Sequence, residues 1–241
     1  MTARAQTNLQ LYRQMQDCSY SQHDLVLVDK AHRLAMQLFA GYYRPNNKPF
    51  IAHLVGTASI LAAAQQPAYV IAAGLLHSAY WLGLGRKGAG VKPHYRKELT
   101  TLLGVQAEQL VYEYSNRQWS VQDFSISVDD LLSLTAEEKL LYLIKLADIH
   151  EEFLDAGHHY QPKKKLLWDE DKSALYLQDV GRLIGELGYG NWAEEFRRAV
   201  ETSSPEIPPA VCSQAKSSRI LAPGWSNKRW KNRLLRWLSR H

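Results

Sequence analysis

Apolar positions along this chain recur with helical rather than strand-like spacing. Between residues 24 and 40, Leu25, Val28, Ala31, Leu34, Ala35 and Leu38 share one helical face and predict an amphipathic helix. Residues 53–64 and 68–82 are apolar on every side and rich in small residues, with Gln65, Gln66 and Pro67 breaking them apart. Helices of that kind belong at the centre of a bundle. Gly83, Gly85, Gly88 and Gly90 then mark a loop that also carries Arg86, Lys87 and Lys92. A helical pattern resumes over 94–115, with a turn or kink expected at Gly104. The mixed stretch 116–134 is given no element.

Further on, Thr135 and Glu138 form a T-x-x-E capping box ahead of EKLLYLIKLADIHEEFLD, whose helix is expected to end near Gly157. Amphipathic helices are expected over 172–187 and 191–202, separated by Gly188 and Gly190. No strand-like alternation, repeat or low-complexity tract is present. The expected fold class is therefore all-α, a helical bundle over residues 1–202 with its core in 25–155. A linker over 203–224, starting with the proline-rich Ser203–Pro209, leads to a basic amphipathic tail at 225–241.

Composition adds limits. At 241 residues with 46% hydrophobic and 22% charged residues, the chain can bury a sizeable core. Stretches such as Ile60–Ala64 and Tyr69–Leu76 fall short of the ~20 apolar residues a membrane span needs. The first ten residues lack an apolar signal core, and Cys18 and Cys212 form neither a disulfide framework nor a thiolate metal site. A cytoplasmic protein is the expectation, with peripheral membrane contact left open by the tail.

The net charge is +5, yet no acidic residue follows Glu206, and the eight lysines and arginines beyond it leave the preceding chain at −3. Basicity thus belongs to the tail, which argues against the domain being a nucleic-acid binder. In that tail Trp230, Leu234, Trp237 and Leu238 share a helical face. Such a face suits an anionic membrane surface, an acidic partner groove, or the protein's own bundle, with nucleic acid supported only by charge and interleaved aromatics.

Candidate chemistry rests on three residues. His53 opens one apolar helix after a turn-like segment, His77 lies near the end of the next, and Asp148 interrupts the apolar run LYLIKLAD. A carboxylate there is costly to bury unless a cation meets it. Two imidazoles and a carboxylate are a common divalent-metal set. Taken singly, each histidine also reads as a hydrogen-bonded core residue and the aspartate as solvent-facing.

The motifs around these residues resemble the HD-domain superfamily, in particular the alarmone-hydrolase domain of RelA/SpoT-type proteins. Gly41, Arg44, Pro49, Phe50, Ile51 and His53 match its G-x-x-R and P-[YF]-I-x-H positions. Ala73, Gly74, Leu75, Leu76 and His77 match A-[AG]-L-L-H, and Lys145, Leu146, Ala147 and Asp148 match K-L-A-D. LLGVQAEQLV resembles the helix between the second and third motifs. The resemblance runs from about residue 25 to 155 and implies an HD-like bundle with a metal, usually manganese, on His53, His77 and Asp148.

The departures fall on the chemistry. Ser78 replaces the Asp of the His-Asp dyad, Trp81 and Leu82 stand where the family has a catalytic Glu-Asp pair, Phe39 replaces a His, and Glu152 stands where an Asn is expected. Alarmone hydrolysis by the family's route is not expected, and the missing bridging Asp disfavours a two-metal centre. The leading expectation is a single-metal hydrolase (Mn, Zn or Fe) acting on a small anionic or phosphorylated metabolite. Ser78 would hold water beside the metal, and Lys145 would serve acid–base chemistry. Ser78 as a nucleophile is disfavoured, because helical neighbours point about 100° apart and His77 is badly placed as its base. Arg44 would bind substrate, or else sits exposed in its turn; His150 and Glu151, close to Asp148 in the chain, read as further acid–base groups or, in the preferred reading, as a solvated face. The alternative is an inactive binding, regulatory or scaffold protein without metal.

Overall fold

A computed structural model describes residues 4–84, 92–160, 170–201, 208–212 and 219–220. The Gly-rich loop beyond Leu84, the start of the linker and the basic tail lie outside these residues. Ten α-helices are present among the described residues, so the chain is an all-α bundle. In chain order they are α1 (Asn8–Asp17), α2 (Gln22–Phe39), α3 (Phe50–Ala63), α4 (Ala68–Leu76), α5 (Pro93–Leu103), α6 (Val105–Asn116), α7 (Val128–Ser133), α8 (Ala136–Phe153), α9 (Glu170–Glu186) and α10 (Gly190–Glu201).

Local chemistry sets most of the boundaries. Thr7, Ser21 and Thr135 close capping boxes with Gln10, Asp24 and Glu138, so α1, α2 and α8 start where a hydroxyl can take up an orphan backbone N–H. Pro49 and Pro67 precede α3 and α4, where a missing N–H costs nothing. Gly104, at φ +85°, ends α5 and opens α6, splitting the expected helix over 94–115 in two. The helix carrying Asp148 stops at Phe153 and gives way to a 3-10 segment, Leu154–Tyr160, so Gly157 is not its C-terminal cap. The hydrophobic pattern had signalled neither α1, which is largely polar, nor α7, which spans only six residues.

The core is the antiparallel pair α3 and α4, packed by α2 and α8. Leu54, Val55, Ala58, Leu61, Val70, Ile71, Ala72 and Leu75 are wholly buried. Each large aliphatic side chain among them contributes about 1.5–3 kcal/mol by leaving water. Apolar residues on every side of α3 and α4 follow from this central position.

One departure from helical geometry matters for the site. The apolar run expected to stay helical to residue 82 breaks after Leu76, and a π-turn occupies Ala79–Gly83. The His77 imidazole donates from Nδ1 to the Gly74 carbonyl at 2.8 Å, occupying an acceptor that an unbroken helix presents to the Ser78 N–H. Two-residue strands β1 (Tyr42–Tyr43) and β2 (Arg219–Ile220) pair antiparallel, which brings part of the expected linker against the bundle. Among the described residues no helix is long and apolar enough to cross a membrane.

Candidate metal centre

α3, α4 and α8 bring His53, His77 and Asp148 to one point. His53 lies in the first turn of α3, His77 caps the C-terminus of α4, and Asp148 lies in the buried run of α8. One ligand atom from each falls within 4.8 Å of the others, and all three residues are buried. This group can hold a metal ion. His53 Nε2 is 3.3 Å and His77 Nε2 3.7 Å from Asp148 Oδ1.

Each of the three is oriented by a further partner. His77 is held through Nδ1 by the Gly74 carbonyl, which leaves Nε2 as the atom facing Asp148. His53 meets the buried Glu151 carboxylate through Nδ1. Asp148 uses Oδ2 to accept from the Tyr114 hydroxyl at 2.9 Å and from Lys145 Nζ at 2.8 Å, leaving Oδ1 toward the imidazoles. Partners of this kind, on the far side of a ligand from the metal, fix the tautomer and aim the ligand atom.

Electrostatics favour the protonation states a metal requires. Burial alone would raise the Asp148 carboxyl, but Lys145 and the two imidazoles outweigh it and hold it well below the usual carboxylate range. Burial lowers His77 to about 4, against the pull of Asp148, so its ring is neutral at pH 7. Tyr114 and Tyr176 are both raised, first by burial and then by the nearby Asp148 charge, and stay protonated.

Glu151 needs room, and Gly56 supplies it. A Cβ at Gly56 would sit 2.7 Å from Glu151 Cγ. Lys48 also pairs with Glu151, and Arg44 pairs with Glu152. The turn carrying both cations is fixed by Arg44 N–H to Lys48 O at 2.8 Å and by Asn46 Nδ2 to Gly157 O at 3.1 Å.

The other candidates fall into place as follows. Arg44 faces the cluster, with Nη1 2.8 Å from His53 Nε2, and is no exposed turn residue. Lys145 is bound to Asp148, so it neutralises and positions that carboxylate. Ser78 is buried at the break after His77 and is not one of the three converging ligands. His150 and Glu151 correct the expectation of a solvated face, at 1% and 2% exposure. α10 covers that side of α8, and the turn at 44–48 covers Glu151. Glu151 had a signal available, since it lies one helical turn after Asp148. Tyr114 had none, because a tyrosine in a helix marks nothing until α6 is docked on α8.

A surface groove of about 410 Å³, lined by Asn8, Asp29, His32, Arg33, Met36 and Gln37, runs beside α1 and α2. A larger groove of about 610 Å³, lined in part by Tyr20, Asp24, Gln66, Tyr69 and Gln106, opens at the α3–α4 connection, the end of the pair remote from the cluster. The chemistry-bearing group lies in neither.

A family model described as a domain of unknown function (DUF6817) matches residues 35–118. That span takes in Arg44, His53, His77, Ser78 and Tyr114 and stops before Asp148. Comparison with curated proteins finds no match.

Proposed function

We propose that this chain is a hydrolase-like enzyme that uses one divalent metal ion, Mn, Zn or Fe, on a small anionic or phosphorylated metabolite. The observation that carries the reading is the commitment of both Nδ1 atoms. With His77 held by Gly74 and His53 by Glu151, both Nε2 atoms face Asp148 Oδ1. The ordered motifs resembling HD-domain hydrolases support the same reading. His53, His77 and Asp148 would hold the ion, which supplies Lewis acidity and lowers the pKa of water.

The remaining roles belong to the protein's own groups. Glu151 orients His53, and Tyr114 and Lys145 hold Asp148 with one oxygen free. Lys145 keeps that carboxylate ionised and offers further N–H donors to an anionic substrate. Arg44 is the second cation for substrate, since its planar fork matches phosphate or carboxylate oxygens. Ser78, which follows His77 in the chain and is buried, would orient water without serving as a ligand.

A second reading, a metal-free binding, regulatory or scaffold protein, has an observation of its own. Asp148, Glu151 and Glu152 already meet Lys145, Lys48 and Arg44 respectively, so these carboxylates carry counter-charges without a metal. Elemental mass spectrometry of the purified, tag-free protein separates the two. Near one equivalent of Mn, Zn or Fe, lost in His77→Ala and Asp148→Ala while helical circular dichroism persists, is the outcome expected. No metal in the parent, even after reconstitution with each ion, overturns the enzyme reading in favour of the second.

A further inference from the structure

We propose that Arg44 competes with the metal for His53, and that an oxyanion draws Arg44 away, so that metal and oxyanion bind cooperatively. The inference rests on the metal reading above and adds how that site is loaded. Arg44 Nη1 lies 2.8 Å from His53 Nε2, the atom a metal needs. The Nδ1 side of the ring is taken by Glu151, so Nε2 is the lone pair that Arg44 and a metal must share. One lone pair serves one of them at a time.

The rest of the arrangement makes Arg44 movable and gives it a reason to move. Its backbone is fixed in the turn, through Arg44 N–H to Lys48 O at 2.8 Å and Asn47 N–H to Arg44 O at 3.0 Å. Its second nitrogen, Nη2, holds Glu152, whose side chain is 39% exposed against 13% for Arg44. The guanidinium is thus pinned between a buried imidazole and a surface carboxylate, and a rotation of the side chain alone frees Nε2. A metal entering beside Lys145, Lys48 and Arg44 concentrates positive charge in a buried space. A tetrahedral oxyanion offsets that charge and gives the displaced guanidinium a bidentate partner. Linkage makes the effect reciprocal, so the oxyanion strengthens metal binding by the factor with which the metal strengthens oxyanion binding.

The test is Mn²⁺ binding to the full chain, read from the electron paramagnetic resonance signal of the free ion and repeated with Zn²⁺ against a chromophoric chelator. Titrations run in chloride with and without inorganic phosphate at matched ionic strength. In the parent, phosphate is expected to tighten metal binding about tenfold, the worth of one charge-assisted hydrogen bond. Arg44→Ala is expected to bind metal about tenfold tighter in chloride alone and to lose the phosphate response. The gain should persist from 0.1 to 0.5 M chloride, a concentration range (~10 to ~4 Å Debye length) that screens a general field but not a buried contact. Should Arg44→Ala lose its helical dichroism, Arg44→Met, which keeps the aliphatic stem, takes its place.

Metal binding that ignores phosphate in the parent, or that is no tighter in the variant, overturns this inference and leaves the metal reading standing. Failure of Mn²⁺, Zn²⁺ and Fe²⁺ alike to bind parent and variant overturns both.

Discussion

Helix α8 carries two buried polar sites two residues apart, and they have opposite characters. Asp148 faces the imidazoles of His53 and His77 from α3 and α4. His150 faces α10, where Trp192 Nε1 donates to its Nδ1 at 2.8 Å and Phe196 packs edge-on at 5.5 Å. Burial lowers His150 to about 3, with a smaller contribution from Arg4, so it is neutral and accepts from the Trp192 indole N–H. The contrast shows that a buried histidine by itself says little. What distinguishes the Asp148 side is convergence: several polar atoms share one point, and each is aimed by a further group.

The largest effect that would break this comparison is on metal affinity. His77→Ala is expected to weaken binding by more than about a hundredfold, because it removes one of three ligands, whereas His150→Ala leaves metal stoichiometry at the parent value. Calorimetric titration of both variants checks it, and equal losses would erase the distinction. Next comes stability. His150→Ala leaves a cavity beside Phe196 and strands the Trp192 N–H, at a cost of about 2–4 kcal/mol by urea denaturation monitored at the tryptophans. A cost below about 1 kcal/mol would show that this histidine is not the packing residue described.

A smaller effect sharpens the metal side. Glu151→Gln keeps the shape but removes the carboxylate charge on His53, and a loss of about 10–100-fold in metal affinity is expected. Unchanged affinity in the titration would remove Glu151 from the centre. The smallest effect concerns His158, an intermediate case half-buried against Phe153 and His159, and lowered by burial to about 4. Its unfolded form takes up a proton near pH 6.5 while the folded form does not until about 4, so its contribution is complete above pH 6.5 and fades as pH falls toward 4. His158→Phe is therefore expected to flatten the pH dependence of stability between pH 6.5 and 4, measured by denaturation at a series of pH values. A parallel curve for parent and variant would refute it.

Much of the bundle was legible from periodicity and punctuation. The Thr135–Glu138 box marked the start of α8, Gln65-Gln66-Pro67 the α3–α4 connection and Gly104 the α5–α6 junction. The misplacements have physical causes. The run through residue 82 is apolar enough for a helix, but the His77 ring captures a main-chain carbonyl and a π-turn follows. Glu151 and His150 look like a charged surface when α8 is read alone, and only the covering turn and α10 bury them.

Periodicity and residue type determined, without reference to anything else, that this is a helical protein with a small-residue central pair and a polar residue on each of three apolar helices. Those properties follow from local propensity and from hydrophobic spacing, which neighbours in the chain suffice to express. Only the tertiary structure decided that the three residues meet, which nitrogen each imidazole presents, and that Glu151, Tyr114, Lys145 and Arg44 surround them. Those groups are far apart along the chain, His53 and Glu151 by 98 residues. Their meeting is set by how α3, α4, α6 and α8 pack, a property of the assembled core that no local segment carries.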